Sequence, residues 1–233
     1  MLLLPALLGW PYERLDPRLR KAFEVALHAG TAAGLAIVLR SEVAAAMRSL
    51  DLRRAGELAV STAPAALVGL LLREPVEGRL SRPRSVAAAQ VAGGLALWLA
   101  DLRPTDRDRG DAGMADALAL GAGQAAALAP GVSRGGAALT ALRLRRLRRR
   151  PASVLARHAA APVMAGAAAL QMVRLLREGL PRELAAPLAA GTGAAFTSTI
   201  ASARLVGAMD GAGSYAPLAA YRVAMGALAL ARL

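Results

Sequence analysis

Apolar stretches close to bilayer length alternate along this chain with short loops crowded with arginine. They run Ala22–Leu39, Leu58–Leu72, Ser85–Ala100, Ser153–Met172, Leu184–Ala203 and Ala216–Ala231. A hydrocarbon core of about 30 Å takes about 20 helical residues to cross, and each stretch comes near that once interfacial residues are included. Their alanines and glycines suit close helix packing in lipid. Of 233 residues, 56% fall in the AVILMFWYC set. That excludes intrinsic disorder and leaves an integral membrane protein or, alternatively, a soluble Ala-rich bundle with a basic surface. No Pro-rich linker or low-complexity run divides the chain, so residues 1–233 read as a single integral membrane domain. The predicted class is all-α, a polytopic membrane protein of about six transmembrane helices.

Charge and side-chain chemistry narrow the function. There is no cysteine, which excludes a disulfide framework and thiolate metal sites. The two histidines, His28 and His158, are too few for a His-rich metal centre. Lys+Arg number 29 against 16 Asp+Glu, for a net charge of +13. Six arginines crowd into Arg143–Arg150. That run could attract nucleic acid or anionic lipid. The positive-inside rule reads it instead as a cytoplasmic loop, and no aromatic residue interleaves it to stack bases. The partners expected are therefore a membrane and no nucleic acid. If this loop lies inside, the Asp101–Asp111 loop lies inside with it.

One region departs from the pattern. Ala115–Ala129 is apolar, Pro130-Gly131-Val132-Ser133-Arg134-Gly135-Gly136 interrupts it, and Ala137–Leu142 resumes before the arginine run. Each half is too short to cross a bilayer, and a Pro-Gly break frees backbone groups that lipid cannot satisfy. The pattern predicts a re-entrant hairpin with a polar tip at the membrane midplane. Ser133 and Arg134 would then open the second half-helix, where free N–H groups and the helix dipole attract anions. Arg134 offers a planar fork suited to phosphate oxygens. Gly131, Gly135 and Gly136 permit close approach of backbone to ligand. The bland counterpart is a helix-breaking loop with Ser133 as N-cap. Gln124 either hydrogen-bonds the tip or pairs with a helix neighbour. Arg222 is a second phosphate contact or an arginine snorkelling to an interface. His28 reads as a packed, hydrogen-bonded histidine, and His158 stands beside Arg157 with its relation to the tip open.

The segment from Gly121 through Gln124 to Pro130-Gly131-Val132-Ser133-Arg134-Gly135-Gly136 resembles the signature of the bacitracin-resistance type undecaprenyl-diphosphatases. That pattern is a Gln six residues before Pro-Gly-x-Ser-Arg-Ser-Gly-Ala-Thr. The resemblance extends to Phe23–Gly30, Pro162–Gly166 and Tyr221-Arg222, and covers essentially the whole chain. It implies a multi-pass enzyme of the bacterial plasma membrane that removes the terminal phosphate of undecaprenyl diphosphate, recycling the lipid carrier of cell-wall synthesis. The implied fold is an inverted repeat with two re-entrant hairpins. The implied catalytic residues are Ser133 and Arg134; Gly131, Arg134, Gly135 and Gly136 would bind phosphate, with Gln124, Thr140 and Arg222 supporting. A polyprenyl diphosphate lipid is the implied substrate, and a divalent cation, Mg2+ or Ca2+, the implied cofactor.

Several positions depart from the signature. Its second Ser is Gly135 and its Thr falls on Ala138, with Thr140 two residues further on. The Glu-x-x-x-Glu hairpin that would carry the cation's ligands has no counterpart, as though the first hairpin were missing; neither Glu13 nor Glu24 substitutes for it. Three expectations stay open: a start that omits the hairpin, a non-catalytic or transporter-like polyprenyl-phosphate binder, and a rearranged active site.

Overall fold

The computed structural model describes residues 3–11, 14–48, 50–71, 80, 82–160, 173, 177, 184–211 and 213–233. Pro162–Gly166, and the Ser153–Met172 stretch beyond residue 160, lie outside them. Among the described residues the regular structure is helical, apart from an isolated parallel bridge between Arg107 and Leu147. In chain order the helices are α1 (Leu3–Leu7), α2 (Pro17–Arg48), α3 (Leu52–Leu71), α4 (Pro83–Asp101), α5 (Met114–Ala126), α6 (Arg134–Leu144), α7 (149–160), α8 (Ala185–Gly211) and α9 (Ala216–Arg232). Prolines sit in the first turns of α4 and α9, where the missing N–H costs nothing. The long helices fall where the apolar stretches predicted them.

Two compact units emerge. One comprises Pro11–Ser49 and Ala160–Ala208, and in it α2 lies against α8. A Cβ on Gly30 would collide with the Thr192 carbonyl, and one on Gly34 would come within 3.1 Å of the Phe196 carbonyl oxygen. The Thr192 hydroxyl donates across the helices to the Ala26 carbonyl at 3.1 Å. Small residues and a hydroxyl are the means by which helices associate in lipid. Among the described residues, Ala22–Ser41 within α2 meets the length and apolarity of a bilayer span, with mean hydropathy 1.6.

The other unit holds Met1–Trp10, Leu50–Ala159 and Met209–Leu233. Helices α4 and α9 pack along their length, with Gly94 against Ala219 and Val223, and Gly226 against Ala87 and Val91. The core between the helices is built from Leu97, Leu120, Leu139, Leu142, Leu147 and Tyr215. By contrast Leu52, Leu67, Leu70 and Leu71 of α3 face outward, more large apolar surface than a water-facing helix presents.

The two short helices form the expected hairpin. At 1.5 Å per residue, α5 and α6 are about 20 Å and about 17 Å long, each short of a bilayer core. They pack closely enough that a Cβ on Gly123 would meet the Ala137 carbonyl oxygen at 2.8 Å. The tip meets α4 at Val86, about 22 Å of helix from Asp101. It therefore reaches past the middle of α4.

Where the hairpin begins and ends, ionic contacts hold it. Asp101, at the end of α4, is buried, and its Oδ1 accepts from Arg143 Nε at 3.0 Å and Arg149 Nε at 2.8 Å. Its Oδ2 accepts from the Tyr215 N–H at 2.8 Å. Arg143, only 1% exposed, also donates to the Leu147 and Asp101 carbonyls. In the first turn of α5, Asp116 takes a bidentate pair from Arg107 at 2.9 and 2.8 Å and a third bond from Arg145 at 3.0 Å. Arg146–Asp106 and Arg148–Asp108 pairs form an exposed rim. The arginine run is therefore an ion-paired lattice, buried at Arg143 and exposed at Arg146 and Arg148. It places the Asp101–Asp111 and Arg143–Arg150 segments on the same side, as the hairpin requires.

Burial pushes the Asp116 carboxyl up, but the Arg107 fork, the Gly113 N–H and Arg145 outweigh it and hold the group at about 2. A depressed carboxylate contributes stability above its ordinary value, here 3.8, and loses it as pH falls through the folded value. Thermal unfolding in detergent micelles should therefore lose stability between about pH 4 and pH 2, and Asp116→Asn should remove that component. Replacing Asp101 by Asn leaves Arg143 buried without a counter-charge. The expected cost is about 3–5 kcal/mol, read from the same unfolding experiment.

Candidate functional site

The tip is built by capping chemistry. Residues 127–133 leave α5 through tight turns, with Val132 N–H donating to the Ala129 carbonyl at 3.1 Å. Ser133 is the N-cap of α6, and its Oγ accepts from the Gly136 N–H at 3.2 Å. The bland reading of Ser133 as N-cap thus holds, and it is also what places a hydroxyl at the positive end of a helix. Gly131 has φ +95°, and a Cβ there would collide with the Val86 backbone carbonyl. Glycine is needed at this position for the turn and for packing against α4.

Beside the tip lies a hollow of about 720 Å³, walled by α4, α5, α6 and α9. Alanines and glycines supply most of the wall. Ser133, Thr140, Arg145 and Arg222 are its polar members. The structure thus brings Ser133, Gly136, Thr140 and Arg222 to one hollow. Arg134 and Gly135 stand exposed in the first turn of α6, outside that lining. Nothing lies within 4 Å of where a Cβ on Gly135 would sit.

Gln124 takes the neighbour-pairing role. It is 3% exposed, and its amide donates to the Ser61 carbonyl on α3 at 2.8 Å. Pro64 lies within α3 one turn further on, and Gly121 fits against its ring. Thr140 donates to the Gly136 carbonyl at 2.8 Å, a back-bond to the preceding turn. His28 is bonded to the Glu24 carbonyl of its own helix at 2.6 Å.

Arg222 is the residue whose importance the sequence conveyed least. It is 8% exposed, crosses from α9 to the tip, and donates from Nη2 to the Gly131 carbonyl at 2.9 Å. Its Nε has no acceptor among the described residues. In the sequence it was marked by its place in the middle of an apolar stretch and by the resemblance at Tyr221-Arg222, neither of which shows what it bonds.

The donor set suits an anion. Two hydroxyls and two guanidinium groups line the hollow, whereas a hard divalent cation is held by carboxylate and carbonyl oxygens. Among the described residues, no group of three or more His, Cys, Asp or Glu side chains could hold a metal ion. The residues at the tip therefore do not fit the implied cation, and no step is routed through it.

Fold and site together define an all-α membrane protein whose re-entrant hairpin presents a helix N-terminus to an apolar hollow that Arg222 of α9 also lines. Residues 1–228 match the family described as Bacitracin resistance protein BacA. An undecaprenyl-diphosphatase of Pelobacter propionicus is 36% identical over 97% of this chain and 86% of its own length. Those of Geobacter metallireducens and Geobacter sulfurreducens are each 32% identical, over 97% and 100% of this chain and 87% and 89% of their own. This chain belongs to the bacitracin resistance protein BacA family.

The two tip glycines should respond oppositely to substitution. Gly131→Ala combines a left-handed φ with a backbone collision and should cost about 1–3 kcal/mol or more in thermal unfolding. Gly135→Ala meets open space and should leave stability within about 0.5 kcal/mol.

Proposed function

We propose that this chain is an undecaprenyl-diphosphatase, a multi-pass protein of the bacterial plasma membrane that hydrolyses undecaprenyl diphosphate to undecaprenyl phosphate and inorganic phosphate. In this reading the diphosphate sits at the N-terminus of α6, and the prenyl chain lies against apolar wall. The observation that carries it is the placement of Ser133 as N-cap of α6 on the edge of the hollow, with Arg134 in the exposed turn beside it. The names of the relatives supply the substrate and the reaction.

Each residue then has a task. Arg134 neutralises headgroup charge from the mouth, where its planar fork can take two oxygens. The N–H groups of the first turn of α6 add partial positive charge without being deprotonated. Ser133 spends one lone pair on Gly136 and keeps its own proton to donate. Water adds to the terminal phosphorus, the bridging P–O bond breaks, and inorganic phosphate leaves. No carboxylate lines the hollow to take the water's proton, so slow turnover is expected from the chain as it stands.

The test is release of inorganic phosphate from a prenyl diphosphate by purified protein in detergent micelles. Phosphate should be released above background, and Arg134→Ala should lose most of it along with headgroup affinity. Tight binding of the lipid with no phosphate released would make the chain a binder instead. Unchanged binding and release by Arg134→Ala would remove the headgroup from this tip.

A further inference from the structure

Two buried arginines in one unit are treated in opposite ways. Arg143 is matched by the Asp101 carboxylate, and all three of its guanidinium nitrogens have acceptors. Arg222 has only the Gly131 carbonyl as a partner on Nη2, and its Nε is an orphan donor among the described residues. Burying a guanidinium without a counter-charge is expensive. A cation kept in that state beside a hollow of about 720 Å³ is matched to an anion that comes and goes.

The packing around Arg222 is arranged for this crossing. A Cβ on Gly93 would stand 3.3 Å from Nη2, and one on Gly94 would meet the Ala219 carbonyl oxygen at 3.0 Å. This pair of glycines lets α9 approach α4 and leaves room for the guanidinium to reach the tip. The lining hydroxyls do not replace it: Thr140 Oγ1 gives its proton to the Gly136 carbonyl, and Ser133 Oγ, which accepts from the Gly136 N–H, can add a hydrogen bond but no charge.

We propose that Arg222 is a second headgroup contact on the inner side of the tip: Nη2 positions the Gly131 carbonyl, while the guanidinium, on the wall of the hollow and without a carboxylate partner among the described residues, supplies the positive charge for a phosphoryl group entering it. The inference rests on the headgroup reading above and deepens it. The lipid phosphate is held between two guanidinium groups, Arg134 from the exposed mouth and Arg222 from within. Arg222 is thereby a positioning residue for the tip and a binding residue for the anion.

Glutamine removes the charge and, ending where Nε does, also gives up the Gly131 bond, so the uncharged alcohol reports the loss of positioning by itself and the diphosphate reports both. Binding of a short-chain prenyl diphosphate and of the matching prenyl alcohol is compared for the intact protein, R222Q, R222K and R134A in detergent micelles. R222Q should weaken the diphosphate by about tenfold or more and leave the alcohol within about twofold, with R222K recovering part of the loss. Unchanged diphosphate affinity in R222Q, or equal loss of both ligands, would overturn the proposal and leave Arg222 a purely structural pin. Should R222Q fail to fold, R222K decides: diphosphate weakened more than alcohol supports the contact, and equal changes overturn it. Unaltered diphosphate binding in R134A, with R222Q defective, would instead refute the placement of the headgroup at the α6 turn.

Discussion

Two carboxylates hold the hairpin in place. Asp101 at the end of α4 collects Arg143 and Arg149, and Asp116 at the start of α5 collects Arg107 and Arg145. Because Arg143 lies at the end of α6 and Asp116 at the start of α5, these bonds oblige the returning half-helix to finish beside the point where its partner began. Replacement of a buried ion pair by apolar side chains is often neutral in stability, so the lattice is better understood as fixing direction and register. Breaking it is another matter, since each guanidinium is then stranded. Everything at the tip, about one hairpin length away, inherits its position from this anchor.

The far end is organised by the opposite economy. At the anchor each of four guanidinium groups has a carboxylate partner; at the tip Arg222 has none among the described residues, and a hollow stands open beside it. Ser133 caps a helix, Gly131 turns the chain against Val86, and Arg222 reaches across from α9 to hold the turn. These bonds satisfy the backbone groups that a Pro-Gly break exposes, which lipid could not have done. They also leave an unpaired guanidinium, its Nε–H without an acceptor among the described residues, and a helix N-terminus beside a hollow of alanine and glycine. Apolar wall and anionic end are together complementary to a molecule with a prenyl chain and a phosphate head.

Much of this was legible in the amino-acid order. The hairpin was visible because Ala115–Ala129 and Ala137–Leu142 are too short to span and Pro130-Gly131 cannot continue a helix. Ser133 was visible as a cap, and the Gln124-to-Gly136 spacing carried the family. The ionic lattice was not visible: Arg143–Arg150 has the composition of a solvated loop, and only the folded chain pairs it with Asp101, Asp106, Asp108 and Asp116, burying Arg143 among them. Those aspartates lie up to about fifty residues away in sequence, and no local periodicity links them. Likewise Gly131 read as a site for ligand approach, whereas its lack of a side chain also serves packing on Val86.

Local order by itself determined which segments are helical, where the hairpin breaks and which helix start carries the hydroxyl and the guanidinium, because apolar run length, proline and capping act over a few residues. Tertiary structure alone decided which arginines are neutralised and which are left wanting an anion. Arg143 and Arg222 are chemically identical and both buried, and no window of sequence says which of them receives a carboxylate. What separates them is a carboxylate brought to Arg143 by the end of α4 and, among the described residues, none brought to Arg222, a difference that exists only once the helices are packed.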